Sequence, residues 1–92
     1  MPPIQFPYAA PLPSYLGRVI RETRKKKGMT QADLADFTDT SAKFISQIER
    51  GKETAQIDKV LDLLRALSLH IYISDKPLNP ENGHGTPFSL LE

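Results

Sequence analysis

The 92-residue sequence predicts an all-α domain of four short helices, followed by one short C-terminal strand. Between Ser14 and Leu67, apolar residues recur at the i, i+3, i+4 spacing of a helix in four segments. Capping residues and glycines separate these segments, as expected at helix ends. Beyond Leu67 the apolar spacing changes to two, which is typical of a strand.

The first and fourth helices are predicted to supply most of the core. The first spans residues 14–27, where Leu16, Val19 and Ile20 share one face and Gly28 ends the helix after a basic run. The fourth spans residues 56–67. Its inward face is predicted to consist of Ile57, Val60, Leu61, Leu64 and Leu67.

Two shorter helices lie between them, at about residues 31–37 and 42–50. Thr30 can cap the first of these, with Asp33 as the acid of a capping box, and Ser41 can cap the second. Ile45 and Ile48 lie one turn apart on the inner face of the second helix. Its outer face carries Ala42, Lys43, Ser46, Gln47 and Arg50. Small, amide and basic side chains of this kind contact base edges and phosphates, so the pair is predicted to be a DNA-reading helix-turn-helix.

Charge is unevenly distributed along the chain, although the net charge is only +1. Nine basic residues face five acidic ones from Ser14 to Lys52, whereas residues 53–92 have three basic and six acidic residues. A basic half that contains the helix-turn-helix favours a polyanionic partner for that half.

The composition argues against an enzyme, a metal site and a membrane protein. Cys is absent, which excludes a disulfide scaffold and a thiolate zinc site. The histidines, His70 and His84, fall in the predicted strand and tail, and no Gly-rich phosphate loop is present. No apolar run is long enough to span a bilayer, and the N-terminus lacks a signal-peptide pattern. We therefore expect no cofactor and a cytoplasmic, nucleoid-associated location.

The segment at residues 68–74 is predicted to be a dimerisation strand. Leu69, Ile71 and Ile73 alternate with His70 and Tyr72, so the two sets lie on opposite faces. A lone strand leaves unpaired N–H and C=O groups, and the simplest partner is the same strand of a second copy, which would make a homodimer. Two alternatives stay open: helix four continues, or residues 4–8 pair with this strand.

Two flanks of the chain are predicted to lack regular structure. Residues 1–13 contain five of the eight prolines and form an extended arm. Residues 75–92 form a flexible tail that ends in an apolar cluster of Phe88, Leu90 and Leu91. This cluster has the form of a docking peptide for a partner, or it is an unselected chain end.

The helix-turn-helix carries a family resemblance. The chain contains the pattern Thr30-Gln31-x-x-Leu34-Ala35, then Ser41-x-x-x-Ile45-Ser46-x-Ile48-Glu49-Arg50-Gly51-Lys52. This pattern resembles the phage-repressor (Xre/Cro) class, which implies a lambda-repressor-like four-helix fold over roughly residues 14–67. Residues 52–61 and the short strand also resemble the narrower HipB-type antitoxin branch.

The resemblance to the HipB-type branch implies particular partners. In that branch the protein is a dimer that represses its own operon and binds a HipA-type serine/threonine kinase toxin. A dimer of this kind binds a palindromic double-stranded DNA operator. Two alternatives remain: a solitary Xre-type regulator without a toxin partner, and a module that binds only a protein.

The resemblance also implies residue roles. Gln31 would meet a phosphate and brace the recognition helix, while Arg50 and Lys52 would approach the DNA backbone. Arg24 and Glu49 match an ion pair that ties helix one to helix three. The groove-facing positions are Ser41, Ala42, Lys43, Ser46 and Gln47. Phage repressors often carry amides where this chain has Ala42 and Lys43, which suit a thymine methyl group and a guanine.

Overall fold

The structure is a computed structural model that describes residues 4–76. It contains four helices, α1 (Pro13–Lys26), α2 (Gln31–Thr38), α3 (Ala42–Glu49) and α4 (Ile57–Ala66). These helices confirm the all-α class, and each begins and ends within one residue of its predicted limits. Residues 1–3 of the predicted arm and residues 77–92 of the predicted tail lie outside the described residues. The predicted docking residues Phe88, Leu90 and Leu91 are among them.

The unit Ala10–His70 contains all four helices and one apolar core. Within it α3 packs against α1 and α2, and α4 packs against α2. The largest fully buried side chains are Ile20, Leu34, Ile45, Leu63 and Leu67. Because every helix contributes to this core, removal of these side chains from water fixes the angle between α2 and α3.

Side-chain caps begin the two central helices. Thr30 Oγ1 accepts the backbone N–H of Asp33 at 3.0 Å, and the Asp33 carboxylate accepts the N–H of Thr30 at 2.9 Å. This reciprocal pair is the predicted capping box. Ser41 Oγ accepts the N–H of Phe44 at 3.0 Å and begins α3 in the same way.

The ends of α1, α3 and α4 share one backbone geometry. A residue with positive φ follows each helix cap: Gly28 (73°), Gly51 (88°) and Ser68 (59°). The N–H of the next residue then returns to a carbonyl of the last turn, which is the Schellman arrangement. Glycine has no Cβ atom, so Gly28 and Gly51 adopt a positive φ readily. Ser68 adopts a positive φ although it has a Cβ atom.

Gly17 allows the backbones of α1 and α3 to approach closely. A Cβ atom at this position would lie 2.4 Å from the carbonyl oxygen of Ile48 and 2.8 Å from that of Glu49. Both atoms belong to the last turn of α3, so only glycine fits without a backbone shift. The periodicity of the first helix does not reveal this contact.

The predicted inward face of α4 is partly wrong. Ile57 is 68% exposed and Leu61 is 38% exposed, whereas Leu63 is fully buried. The buried stripe runs through Val60, Leu63, Leu64 and Leu67. Apolar residues fill two adjacent stripes of this helix, and spacing alone does not decide which of them faces the core.

The strand predicted at residues 68–74 is not present, and no strand occurs elsewhere in residues 4–76. The N–H of Leu69 bonds to the carbonyl of Leu64 at 2.8 Å, so it completes the cap of α4. Residues 71–74 have no regular secondary structure. A strand requires a neighbour that accepts its backbone hydrogen bonds, and a single copy of the described chain supplies none.

Candidate nucleic-acid interface

The predicted groove-facing residues lie together on one side of α3, which we call its outer face. Ala42, Lys43 and Arg50 are exposed, while Ser46 and Gln47 are half-buried. On the opposite side, Ile45 and Ile48 are buried in the core. Ser41 is exposed at the N-terminal end of this face, and Lys52 is exposed just beyond its C-terminal end. The helix therefore offers a polar and basic surface while its other side is anchored.

A buried ion pair connects α1 to the last turn of α3. Arg24 Nε donates to Glu49 Oε2 at 2.6 Å, and Arg24 Nη2 donates to Glu49 Oε1 at 3.1 Å. The two side chains are only 8% and 3% exposed, so Glu49 is not merely solvated. Arg24 Nη1 also donates to the carbonyl of Met29 at 2.7 Å. A buried charge needs a partner of opposite charge, and this bidentate pair supplies one for the Arg24 guanidinium and one for the Glu49 carboxylate.

Gln31 joins the same carboxylate from the start of α2. Its Nε2 donates to Glu49 Oε1 at 3.1 Å. Glu49 therefore connects three helices through side chains of α1, α2 and α3. Because a carboxylate only accepts hydrogen bonds, the amide nitrogen of Gln31 must face Glu49. The second N–H of this amide stays available for another acceptor.

Lys52 contacts the outer face of α3 from the following loop. Its Nζ donates to Gln47 Oε1 at 3.3 Å. The sequence predicts only that Lys52 approaches the DNA backbone and does not predict this contact with Gln47. Gly51 indicates that the two residues are close, because a Schellman cap places the residue after the glycine beside the third-last residue of the helix.

The first turn of α2 carries a stabilised negative charge. Hydrogen bonds from the backbone N–H and the hydroxyl group of Thr30 lower the pKa of the exposed Asp33 carboxyl group below its usual value. A charged carboxylate at this position also interacts favourably with the positive end of the helix dipole. Asp33 is therefore a helix-start residue and lies apart from the outer face of α3.

Residues 4–76 contain no group of three or more His, Asp or Glu side chains placed to hold a metal ion. None of the helices within these residues has the length and apolar character that a membrane span requires.

The sequence is similar to those of helix-turn-helix regulators. The profile of a family described as helix-turn-helix matches residues 20–73. An uncharacterised HTH-type transcriptional regulator of Sinorhizobium fredii is 39% identical over 61 residues, which are 66% of this chain and 80% of that protein. A competence pilus inhibition repressor of Acinetobacter baylyi is 47% identical over 38 residues, 41% of this chain and 34% of its own length.

Solved structures share the fold. HipB in its complex with an O4 20mer is 22% identical, with a TM-score of 0.68 over 75% of this chain and 97% of that chain. The restriction-modification controller protein C.AhdI from Aeromonas hydrophila is 28% identical, with a TM-score of 0.57 over 63% and 84% of the two chains. A variant of the controller protein C.Esp1396I is 33% identical, with a TM-score of 0.59 over 66% and 79%.

Proposed function

The chain belongs to the helix-turn-helix family of Xre/Cro-type transcriptional regulators, and on that premise we propose that it is a dimeric repressor of a palindromic DNA operator. Members of this family bind DNA and are not enzymes. The proposed function implies a cytoplasmic protein that is associated with the nucleoid.

The proposal rests on the polar and basic outer face of α3. This face would lie in the major groove, where the side chains near base edges would be Ser41, Ala42, Lys43, Ser46 and Gln47. The amide of Gln31 donates one N–H to Glu49, and its second N–H would bind a phosphate at the start of α2. Arg50 at the end of α3 would approach the DNA backbone.

A module that binds only a protein fits this face less well. Protein-binding surfaces concentrate exposed aromatic and large apolar side chains at their centre. The outer face of α3 instead has Lys43, Arg50 and two half-buried polar residues, Ser46 and Gln47. The excess of basic residues between Ser14 and Lys52 also favours a polyanion.

The segment that follows α4 supports a homodimer. Ile71 is 52% exposed, Tyr72 is 46% exposed and Ile73 is 89% exposed. A second copy would cover these three apolar side chains, whereas Leu69, also predicted for dimerisation, packs against the core of its own chain. One short helix buries too little surface for tight specific binding, so two copies would read two half-sites about 34–36 Å apart, or a multiple of that spacing.

The antitoxin role is the finer part of the proposal. The fold is that of HipB, and a solved complex contains HipA, HipB and O2–O3. By this analogy the chain would bind a HipA-type serine/threonine kinase toxin as well as its operator. Co-expression with the neighbouring gene of its operon tests this role, which requires a kinase-like protein to co-purify in a defined ratio.

A solitary regulator is the second candidate. The controller proteins C.Esp1396I and C.AhdI share more sequence with this chain, 33% and 28%, than HipB does at 22%. A solitary regulator would repress its promoter without a second protein. Absence of a co-purifying partner, together with full operator binding by the purified chain, would favour this candidate over the antitoxin.

Binding to DNA as a function of salt tests the main proposal. The purified chain is titrated against labelled duplexes from its own promoter region and against a shuffled duplex, between about 50 and 200 mM salt. We expect tighter binding to one promoter duplex and a linear fall of log affinity with log salt, with a slope of about −0.9 for each phosphate contact. No measurable binding at the lowest salt would contradict the proposal.

A further inference from the structure

The C-terminal cap of α3 brings together two side chains of the candidate interface. The N–H of Gly51 bonds to the carbonyl of Ile48 at 2.9 Å, and the N–H of Lys52 bonds to the carbonyl of Gln47 at 3.0 Å. These two bonds define a Schellman cap, in which the side chains of the residues corresponding to Lys52 and Gln47 often make an apolar contact. Here the contact is polar, since Lys52 Nζ donates to Gln47 Oε1 at 3.3 Å.

This contact determines the orientation of the Gln47 amide. An ammonium group only donates hydrogen bonds, so the amide atom that faces Lys52 must be the oxygen. The amide nitrogen with its two N–H donors is then the part of Gln47 that is left for DNA. The backbone bond from Lys52 to the Gln47 carbonyl keeps the two residues adjacent, so the pairing does not depend on a chance encounter of two long side chains.

The orientation of the amide selects between purines. An unconstrained glutamine pairs with adenine by accepting from N6 and donating to N7, and this pairing needs the amide oxygen. Guanine presents two acceptors, O6 and N7, and therefore suits an amide that only donates. The ammonium group of Lys52 acts in the same direction, because a positive charge favours the acceptor edge of guanine over the amino group of adenine.

We propose that Lys52 determines specificity by orienting Gln47 toward guanine. This role rests on the DNA-binding function proposed above and goes beyond a contact of Lys52 with the DNA backbone. A backbone contact would weaken binding to every sequence alike when it is removed. Orientation of Gln47 instead changes which base is preferred at one position of each half-site.

The test compares variants that differ in the donor at position 52. Lys52→Met keeps an unbranched side chain without a donor, and Lys52→Arg keeps a cationic donor. Lys76→Met removes an exposed charge elsewhere and serves as the control for net charge. Binding sites are selected from a randomised duplex library for each protein, and Gln47→Ala identifies the position that Gln47 reads. Affinities are then measured for guanine and adenine at that position, after circular dichroism has verified the helical content of each variant.

We expect the wild-type chain, Lys52→Arg and Lys76→Met to prefer guanine by about tenfold. Lys52→Met should lose this preference or reverse it toward adenine, and the same change in a Gln47→Ala background should have no effect on base choice. An unchanged guanine preference in Lys52→Met, with weaker binding to all duplexes, would overturn the role of Lys52 alone. Selection of no sequence by the wild-type chain would overturn the DNA-reading function itself.

Discussion

Helix α3 and residues 68–74 both carry apolar side chains in a regular pattern, yet only α3 forms a regular element. The eight residues of α3 are too few for a stable isolated helix. Ile45 and Ile48 enter the core, Ser41 caps the start, and Glu49 bonds to two other helices. Residues 71–76 form no helix or strand. The apolar pattern of α3 is accompanied by a cap, core contacts and an ion pair, whereas residues 68–74 have no paired strand within residues 4–76.

The largest expected effect comes from breaking the ion pair behind α3. Arg24→Met would leave the Glu49 carboxylate buried and without its cation, and we expect it to lower the free energy of unfolding by about 3–5 kcal/mol. Urea denaturation followed by circular dichroism measures this change.

Arg65→Met provides the matched control for this prediction. Arg65 also pairs with an acid, Asp62, but these side chains are 75% and 48% exposed. Loss of this exposed ion pair should change the free energy of unfolding by about 0–1 kcal/mol. If both arginine variants lost the same stability, burial of the Arg24–Glu49 pair would not be what holds α3.

The close approach of α1 and α3 gives the next largest effect. Gly17→Ala would place a methyl group against the carbonyl oxygens of Ile48 and Glu49, and we expect a loss of about 1–3 kcal/mol. Helix propensity alone predicts the opposite, a gain of about 1 kcal/mol, because alanine favours a helix interior. Thermal and urea unfolding of the variant decide between the two signs. Gly28→Ala is a useful comparison, since a Cβ there meets no atom within 4 Å and only the positive φ opposes it.

A smaller effect should appear in the pH dependence of stability. The lowered pKa of Asp33 means that its contribution is present above the usual pKa of an aspartate and is lost as the pH falls through the lowered value. Asp33→Asn removes this contribution, so the wild-type chain should lose more stability than the variant between neutral pH and pH 3. Equal losses in the two proteins, measured from urea midpoints, would show that the capping box adds no pH-dependent stability.

The segment after α4 should contribute least to the stability of one copy. The double variant Ile71→Ser, Ile73→Ser should leave the free energy of unfolding of a single copy within about 0.5 kcal/mol of the wild type, since both side chains are exposed. Sedimentation equilibrium should show loss of the proposed dimer. A dimer that persists in this variant would place the interface elsewhere.

The fold was largely accessible from the sequence because its signals are local. The caps at Thr30 and Ser41 and the glycine at position 28 mark helix ends through contacts within a few residues. The contact of Arg24 with Glu49 is not local, and the family resemblance implied it. The prediction of which stripe of α4 faces the core was partly wrong, since the choice between Leu61 and Leu63 depends on the packing of the other helices.

The candidate site was predictable as a set of residues but not as a set of contacts. Spacing grouped Ala42, Lys43, Ser46 and Gln47 on one face, and the structure has them there. The bond from Gln31 to Glu49 depends on the angle between α2 and α3, which no local signal gives. The need for glycine at position 17 depends on the distance between two helix backbones. The missing strand shows the same limit, because its proposed neighbour belongs to another copy.

The most direct test of sequence reading by α3 is the ratio of affinities for the selected operator and for random DNA in Lys43→Ala. Lys43 is exposed on the outer face of α3 and is proposed to contact a guanine. We predict that its removal lowers this discrimination by about 1–3 kcal/mol, with most of the loss on the operator. An equal loss of affinity for the operator and for random DNA would contradict base reading by this face.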